Sequence, residues 1–116
     1  MEFMKTDTAV SALAALAQPT RLAIFRLLVE TGPQGLVVGK IAEVLAVAPT
    51  TLSFHLKTLT QADLLLARQD GRFIVYAANF AAMHGLIAFL SDNCCGGQPC
   101  TPLPIPVCSI SEEVSS

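Results

Sequence analysis

Between Pro49 and Ala77 the apolar residues change their spacing, and few folds accommodate the change. Leu52, Leu56 and Leu59 recur at i, i+4 and i+7, one stripe along a helix that Pro49 opens where its missing N–H is least costly. The segments 64–69 and 72–77 then read as largely apolar runs whose polar residues (Arg68, Gln69 and Arg72) sit next to Asp70-Gly71, a strong signal for a two-residue hairpin turn. A helix that hands directly to a hairpin predicts a mainly α fold carrying one β-ribbon.

The flanking segments are helical. Residues 8–17 are rich in Ala and Leu, with Val10, Leu13 and Leu16 at helical spacing. Pro19 opens a second helix whose predicted buried stripe is Leu22, Phe25, Leu28 and Val29, with Arg21, Arg26 and Glu30 pointing elsewhere. Gly32, Pro33 and Gly35 end it, and a short third helix carries Ile41, Ala42 and Leu45. From Asn79 a last helix places Phe80, Met83, Ile87 and Leu90 at the spacing of a seam between helices. It is predicted to stop near Asn93, because Gly96-Gly97 and the prolines at 99, 102, 104 and 106 cannot continue it. The division is therefore a folded domain over 1–93 and a Cys/Pro-rich segment over 94–116. There is no internal repeat.

A chain of 116 residues is one domain, large enough to bury a core without covalent staples. Hydrophobic content of 53% against 14% charge is high for a free monomer, and a dimer that hides part of this surface explains it. Net charge is −2, and Glu112 and Glu113 supply that excess, so nucleic-acid binding must be argued from local placement of charge. No apolar run approaches the roughly 18 residues of a membrane span. The N-terminus lacks the basic flank and apolar stretch of a secretory signal, so the expected location is cytoplasmic, with no membrane partner.

Two helices joined by a tight turn, the second with one apolar stripe and one small polar face, describe a helix-turn-helix. That polar face is Thr50, Thr51, Ser53, Lys57 and Thr58. Short hydroxyl side chains let a helix approach base edges closely, and Lys57 can neutralise a phosphate. Arg68 and Arg72 beside the hairpin suit a wing that reaches phosphates or a minor groove. The bland alternative is a three-helix core with a solvated face and a decorative hairpin; the ordered run of helix-turn-helix, hairpin and final helix argues against it.

The stretches QPTRLAIFRLL (18–28), IAEVLAVAPTTLSFHLKTLTQADLL (41–65) and RQDGRFIVYAAN (68–79) resemble the ArsR/SmtB family of winged helix-turn-helix repressors over residues 9 to about 92. The resemblance implies a homodimer joined through its first and last helices, with two recognition helices reading a two-fold double-stranded operator. Carried onto this chain, the DNA-reading positions are Thr50, Thr51, Ser53, Phe54 and Lys57, with Arg68 and Arg72 on the wing. Phe54 departs from the polar residue usual there and either touches a thymine methyl or packs.

Cysteine usage points to the signal. Cys94, Cys95 and Cys100 fall within seven residues, Cys108 follows in the Pro-rich tail, and the first 93 residues contain none. Close thiolates can form a disulfide, a redox switch or a soft-ion site, and a reducing compartment favours thiolate chemistry. The arsenic sensors that founded the family resemble one another in a cysteine pair on the first helix of the helix-turn-helix; here Leu36 to Ile41 contain no sulfur. Zinc-type members pair Asp and His along the last helix, where this chain offers only His84 and a distant Asp92. His55 reads as a packing or backbone-bonded residue rather than a ligand.

Three sulfurs with no nearby His favour a trigonal site over tetrahedral zinc. Arsenite, As(III), is thiophilic and pyramidal and fits best; Sb(III) fits similarly, and methylated As(III) is a further inducer to rank. Adjacent helical residues point about 100° apart, so Cys94 and Cys95 converge only where the helix unwinds, as Asn93 and Gly96-Gly97 permit. This resembles the arsenite-responsive subgroup with cysteines at the end of the last helix. The expected metal ligands are Cys94, Cys95 and Cys100, with Cys108 the substitute. A redox or persulfide sensor of the same fold would use the same residues. From another class come a soft-metal carrier that binds no DNA and a thiol redox enzyme. The enzyme finds no support, since such a nucleophile wants a cationic anion-binding loop and residues 91–116 hold neither Lys nor Arg.

Overall fold

The computed structural model describes residues 4–92, in the order α1 (Thr6–Leu16), α2 (Pro19–Thr31), β1 (Leu36–Val37), α3 (Val38–Leu45), α4 (Pro49–Gln61), β2 (Leu65–Asp70), β3 (Phe73–Ala78) and α5 (Phe80–Ser91). The four cysteines lie outside the described residues. The mainly helical fold with a hairpin wing is as expected, with one strand added. β1 pairs antiparallel with β3 (Leu36 opposite Tyr76, Val37 opposite Val75), giving a three-stranded sheet in the order β1-β3-β2. A two-residue strand is too short to show a period, so its partner alone defines it.

Local chemistry sets the boundaries. Gln18 caps α2 by accepting from the Arg21 N–H, Pro19 follows in the first turn, and Gly32 ends the helix at φ +100°. Asn79 caps α5 by accepting from the Ala82 N–H at 3.2 Å, while its Nδ2 donates to the Asp63 carbonyl at 2.9 Å. Its backbone N–H also donates to Leu64 O at 2.9 Å, so one residue ties the root of the wing to the start of the last helix.

The core is built on Ile24, Leu28, Ile41, Leu52, Leu56, Leu59, Leu64 and Leu65, all fully buried. The α4 stripe enters as its spacing predicts, and each of its leucines contributes roughly 1.5–3 kcal/mol of burial. One helix is rotated from expectation. In α2 the buried set is Ile24, Phe25 and Leu28, while Leu22 is exposed and Val29 only half-buried. In α1 the inward residues are Ala9, Ala12 and Ala15. Their short side chains let the helix lie close on the core, and Val10 (57% exposed) and Leu13 face outward. Ile87 and Leu90 (60%) do the same on α5, whose buried residue is Leu86. Among the described residues no single helix is long and apolar enough to cross a membrane.

Candidate nucleic-acid interface

α3 and α4 meet through Ala46-Val47-Ala48. Ala46 takes a left-handed conformation (φ 55°), and the Val47 N–H turns back to Ala42 O at 3.1 Å, which closes α3. Ala48 is extended, the conformation favoured before proline, and Pro49 starts α4. The result is two short helices at a tight turn, with the second held to the core by Leu52, Leu56 and Leu59.

Every position expected to read DNA on α4 is exposed. Thr50, Ser53 and Lys57 follow one another at i, i+3 and i+7 along one line, with Thr51 and Phe54 on the line beside it. Thr58, read from the sequence as part of this polar face, is half-buried and donates its hydroxyl to Phe54 O at 3.2 Å; Thr60 likewise donates to Leu56 O at 2.7 Å. Both hydroxyls are spent on their own helix. Ala48 offers no side-chain cap, so the first-turn N–H groups stand beside the Thr50 and Thr51 hydroxyls as outward donors, an arrangement that suits phosphate oxygens. Phe54 is 65% exposed and its ring stands edge-on to His55, with centroids 5.7 Å apart at 63°. Of the two roles left open for it, packing in the core is not what it does. His55 is half-buried and its Nδ1 lies 3.4 Å from an Arg21 nitrogen, so of the two roles expected for it the structure gives packing between helices, with a side-chain rather than a backbone partner.

The hairpin differs from expectation by one residue. Asp70 pairs with Phe73, so the loop is Gly71-Arg72 rather than Asp70-Gly71. Gly71 has φ +65° and Arg72 is not left-handed, the pattern of a turn that places glycine first. The shift puts Arg72 on the tip itself, exposed, with Gln69 bracing the loop by donating to Gly71 O at 3.2 Å. Arg68 lies nearer the root, where it donates to Gln34 O at 3.1 Å. Phe73, 61% exposed beside Arg72, is a surface aromatic that the sequence pattern did not single out; the only signal was its place next to the turn.

Charge placement supports the same face. Among the described residues Arg26 and Lys40 have acidic neighbours, Glu30 at 3.6 Å and Glu43 at 3.8 Å, and Arg21 is engaged inside the fold. Lys57, Arg68 and Arg72 on α4 and the wing have no acidic partner among the described residues, and Lys5 at the start of α1 is the one further cation of that kind among them. Elsewhere no three His, Cys, Asp or Glu side chains of the described residues converge as metal ligands.

A helix-turn-helix with a polar reading face, followed by a cationic wing, defines a winged-helix DNA-binding protein. Residues 16–67 match the family described as Helix-turn-helix domain. Nodulation protein NolR of Rhizobium meliloti is 31% identical over 86 residues, covering 74% of this chain and 68% of NolR. An ArsR-like transcriptional regulator from Rhodococcus sp. RHA1 superposes with a TM-score of 0.66 at 27% identity, over 73% of this chain and 77% of that one. A solved structure described as a possible transcriptional regulator for arsenical resistance is 32% identical with a TM-score of 0.60, over 70% and 81%. The chain belongs to the ArsR family of winged helix-turn-helix transcriptional regulators, proteins that bind DNA and are not enzymes.

Proposed function

We propose that this regulator is an arsenite-responsive repressor. It acts as a homodimer on a two-fold operator and leaves DNA when As(III) binds Cys94, Cys95 and Cys100. The observation that carries the reading is the gathering of three thiols within seven residues, beginning three residues after Ser91 ends α5. Thiolates select soft acceptors, three of them suit a three-coordinate one, and α3 of this chain has no sulfur with which to build a site there. The relative described as a possible regulator for arsenical resistance favours the same inducer.

The outward apolar residues of α1 and α5 (Val10, Leu13, Ile87 and Leu90) support the dimer, because each helix leaves large side chains in water on a face turned from the core. Thr50, Thr51, Ser53 and Phe54 meet base edges in the major groove, while Lys57, Arg68 and Arg72 neutralise phosphates. Closing a thiolate loop directly beyond α5 strains the end of the dimer helix. The two recognition helices then lose simultaneous contact with both half-sites.

The test is a titration of operator DNA with the full chain under reducing conditions, with and without arsenite. Arsenite should weaken DNA binding by roughly 5–150-fold, the range of a coupling of about 1–3 kcal/mol. Release that requires an oxidant and ignores arsenite would refute the inducer and promote a thiol redox sensor of the same fold.

A further inference from the structure

We infer that Arg21 is a positioning residue for operator reading: it fastens the recognition helix α4 to the last turn of α1 and so sets the spacing at which a dimer presents its two recognition helices. This rests on the dimeric reading above. Arg21 lies in the first turn of α2, where its N–H is held by Gln18 Oε1 at 2.8 Å. Its Nε donates to Ala15 O at 2.7 Å, and a terminal nitrogen lies 3.4 Å from His55 Nδ1. One side chain on α2 thus bonds both α1 and α4.

Chemistry makes each end of this bridge specific. α1 has no basic residue in its last turn, so its open carbonyl and the negative end of its dipole are met by a cation from the next helix. A guanidinium has donors only, so in this contact His55 Nδ1 is the accepting partner. The seam that Arg21 spans is a cleft of about 310 Å³ lined, besides Arg21 itself, by Ser11, Ala14, Ala15, Thr58, Gln61 and Ala62. None of these is a large apolar residue. On this side the guanidinium links α1 and α4 across the cleft.

The consequence is geometric. α1 carries Val10 and Leu13 and moves with the partner protomer, whereas α4 moves with DNA. Thr50 lies five residues before His55, about 7.5 Å along the helix axis. A pivot of about 10° at His55 would displace Thr50 by about 1.3 Å, and two protomers would double it to about 2.6 Å, close to the 3.4 Å rise of one base pair. Losing the bridge therefore blurs the register between half-sites without removing any DNA contact.

The experiment uses the full chain and a two-fold duplex selected by it from a randomised pool, together with versions lengthened or shortened by one central base pair. Wild type should prefer the selected spacing. Arg21→Lys and Arg21→Gln should bind the selected duplex about tenfold more weakly, as loss of a charge-assisted bond allows. They should discriminate little among the three spacings, with an unchanged salt slope. His55→Leu should share the defect and His55→Gln, which keeps an acceptor, should restore discrimination. If Arg21→Gln does not fold, Arg21→Lys and the His55 pair carry the test. Discrimination retained in Arg21→Lys and His55→Leu overturns the inference, as does a salt slope reduced by about one unit, which would make Arg21 a phosphate contact. Sedimentation separates the two readings: a wild-type protein bound as a monomer overturns the dimer and this inference together, whereas a dimer indifferent to Arg21 overturns this inference alone.

Discussion

Replacing Gly35 with Ala tests how the wing is rooted. Gly35 has φ +70°, and a Cβ built on it lies 2.3 Å from Tyr76 O, 2.9 Å from Val75 Cγ1 and 3.0 Å from the Tyr76 carbonyl carbon. Two of these three atoms are β3 backbone, which cannot swing aside as a side chain would. To reach an ordinary contact the loop and β3 must part by about 1 Å, and β1, which begins at Leu36, parts with them. Overpacking of this kind costs about 1–3 kcal/mol, and the left-handed backbone adds about 1–2. The expected loss is about 2–5 kcal/mol out of a total stability on the order of 5–15. Two other glycines calibrate it. Gly71→Ala has φ +65° but nothing within 4 Å, so only the backbone term of about 1–2 kcal/mol applies. Gly39→Ala, in α3 with nothing within 4 Å, should be neutral or stabilising by up to about 1 kcal/mol. Urea unfolding followed by circular dichroism at one fixed protomer concentration measures all three, since a dimer's apparent stability depends on concentration. If Gly35→Ala loses no more than Gly71→Ala, the close approach to Tyr76 is not what holds β1 to the sheet.

Lys57→Ala or Arg72→Ala should weaken binding to all DNA sequences and lower the salt slope by about one unit, whereas Ser53→Ala or Thr50→Ala should shift sequence preference; binding isotherms across salt and operator variants distinguish them. Ile87→Glu or Leu90→Glu should give monomers that lose operator affinity, because both half-sites must be held at once; sedimentation that finds a monomer competent for the full operator contradicts this. Cys94→Ser, Cys95→Ser or Cys100→Ser should leave DNA affinity intact and block release by arsenite, with Cys108→Ser near normal. Arsenite release that survives loss of both Cys94 and Cys95 refutes the proposed ligand set.

Much of this molecule was legible in the chain because its signals are local. The α4 stripe of Leu52, Leu56 and Leu59 enters the core as spaced, since a helix facing one core must repeat at three and four. Pro19, Pro49 and Asn79 announce helix starts by chemistry confined to one turn. The exposure of Thr50, Thr51, Ser53 and Lys57 follows from that same stripe, which leaves them no other side to occupy.

Where two surfaces compete for a residue, the tertiary structure decided. Val10 and Leu13 are more hydrophobic than Ala9, Ala12 and Ala15, yet the alanines go inside, because the gap beside the core is narrow and admits only short side chains. Ile24 displaces Leu22 in α2 because both are apolar and composition cannot choose a rotation that neighbours impose. The hairpin loop lies one residue on from the expected Asp70-Gly71, at Gly71-Arg72, because Asp70 is taken into the ladder opposite Phe73. Arg21 and His55 stand 34 positions apart, and no local pattern relates them. Residues so distant meet only after the helices that carry them have packed, so a periodicity reveals which elements form while the shared core alone determines which of their faces touch.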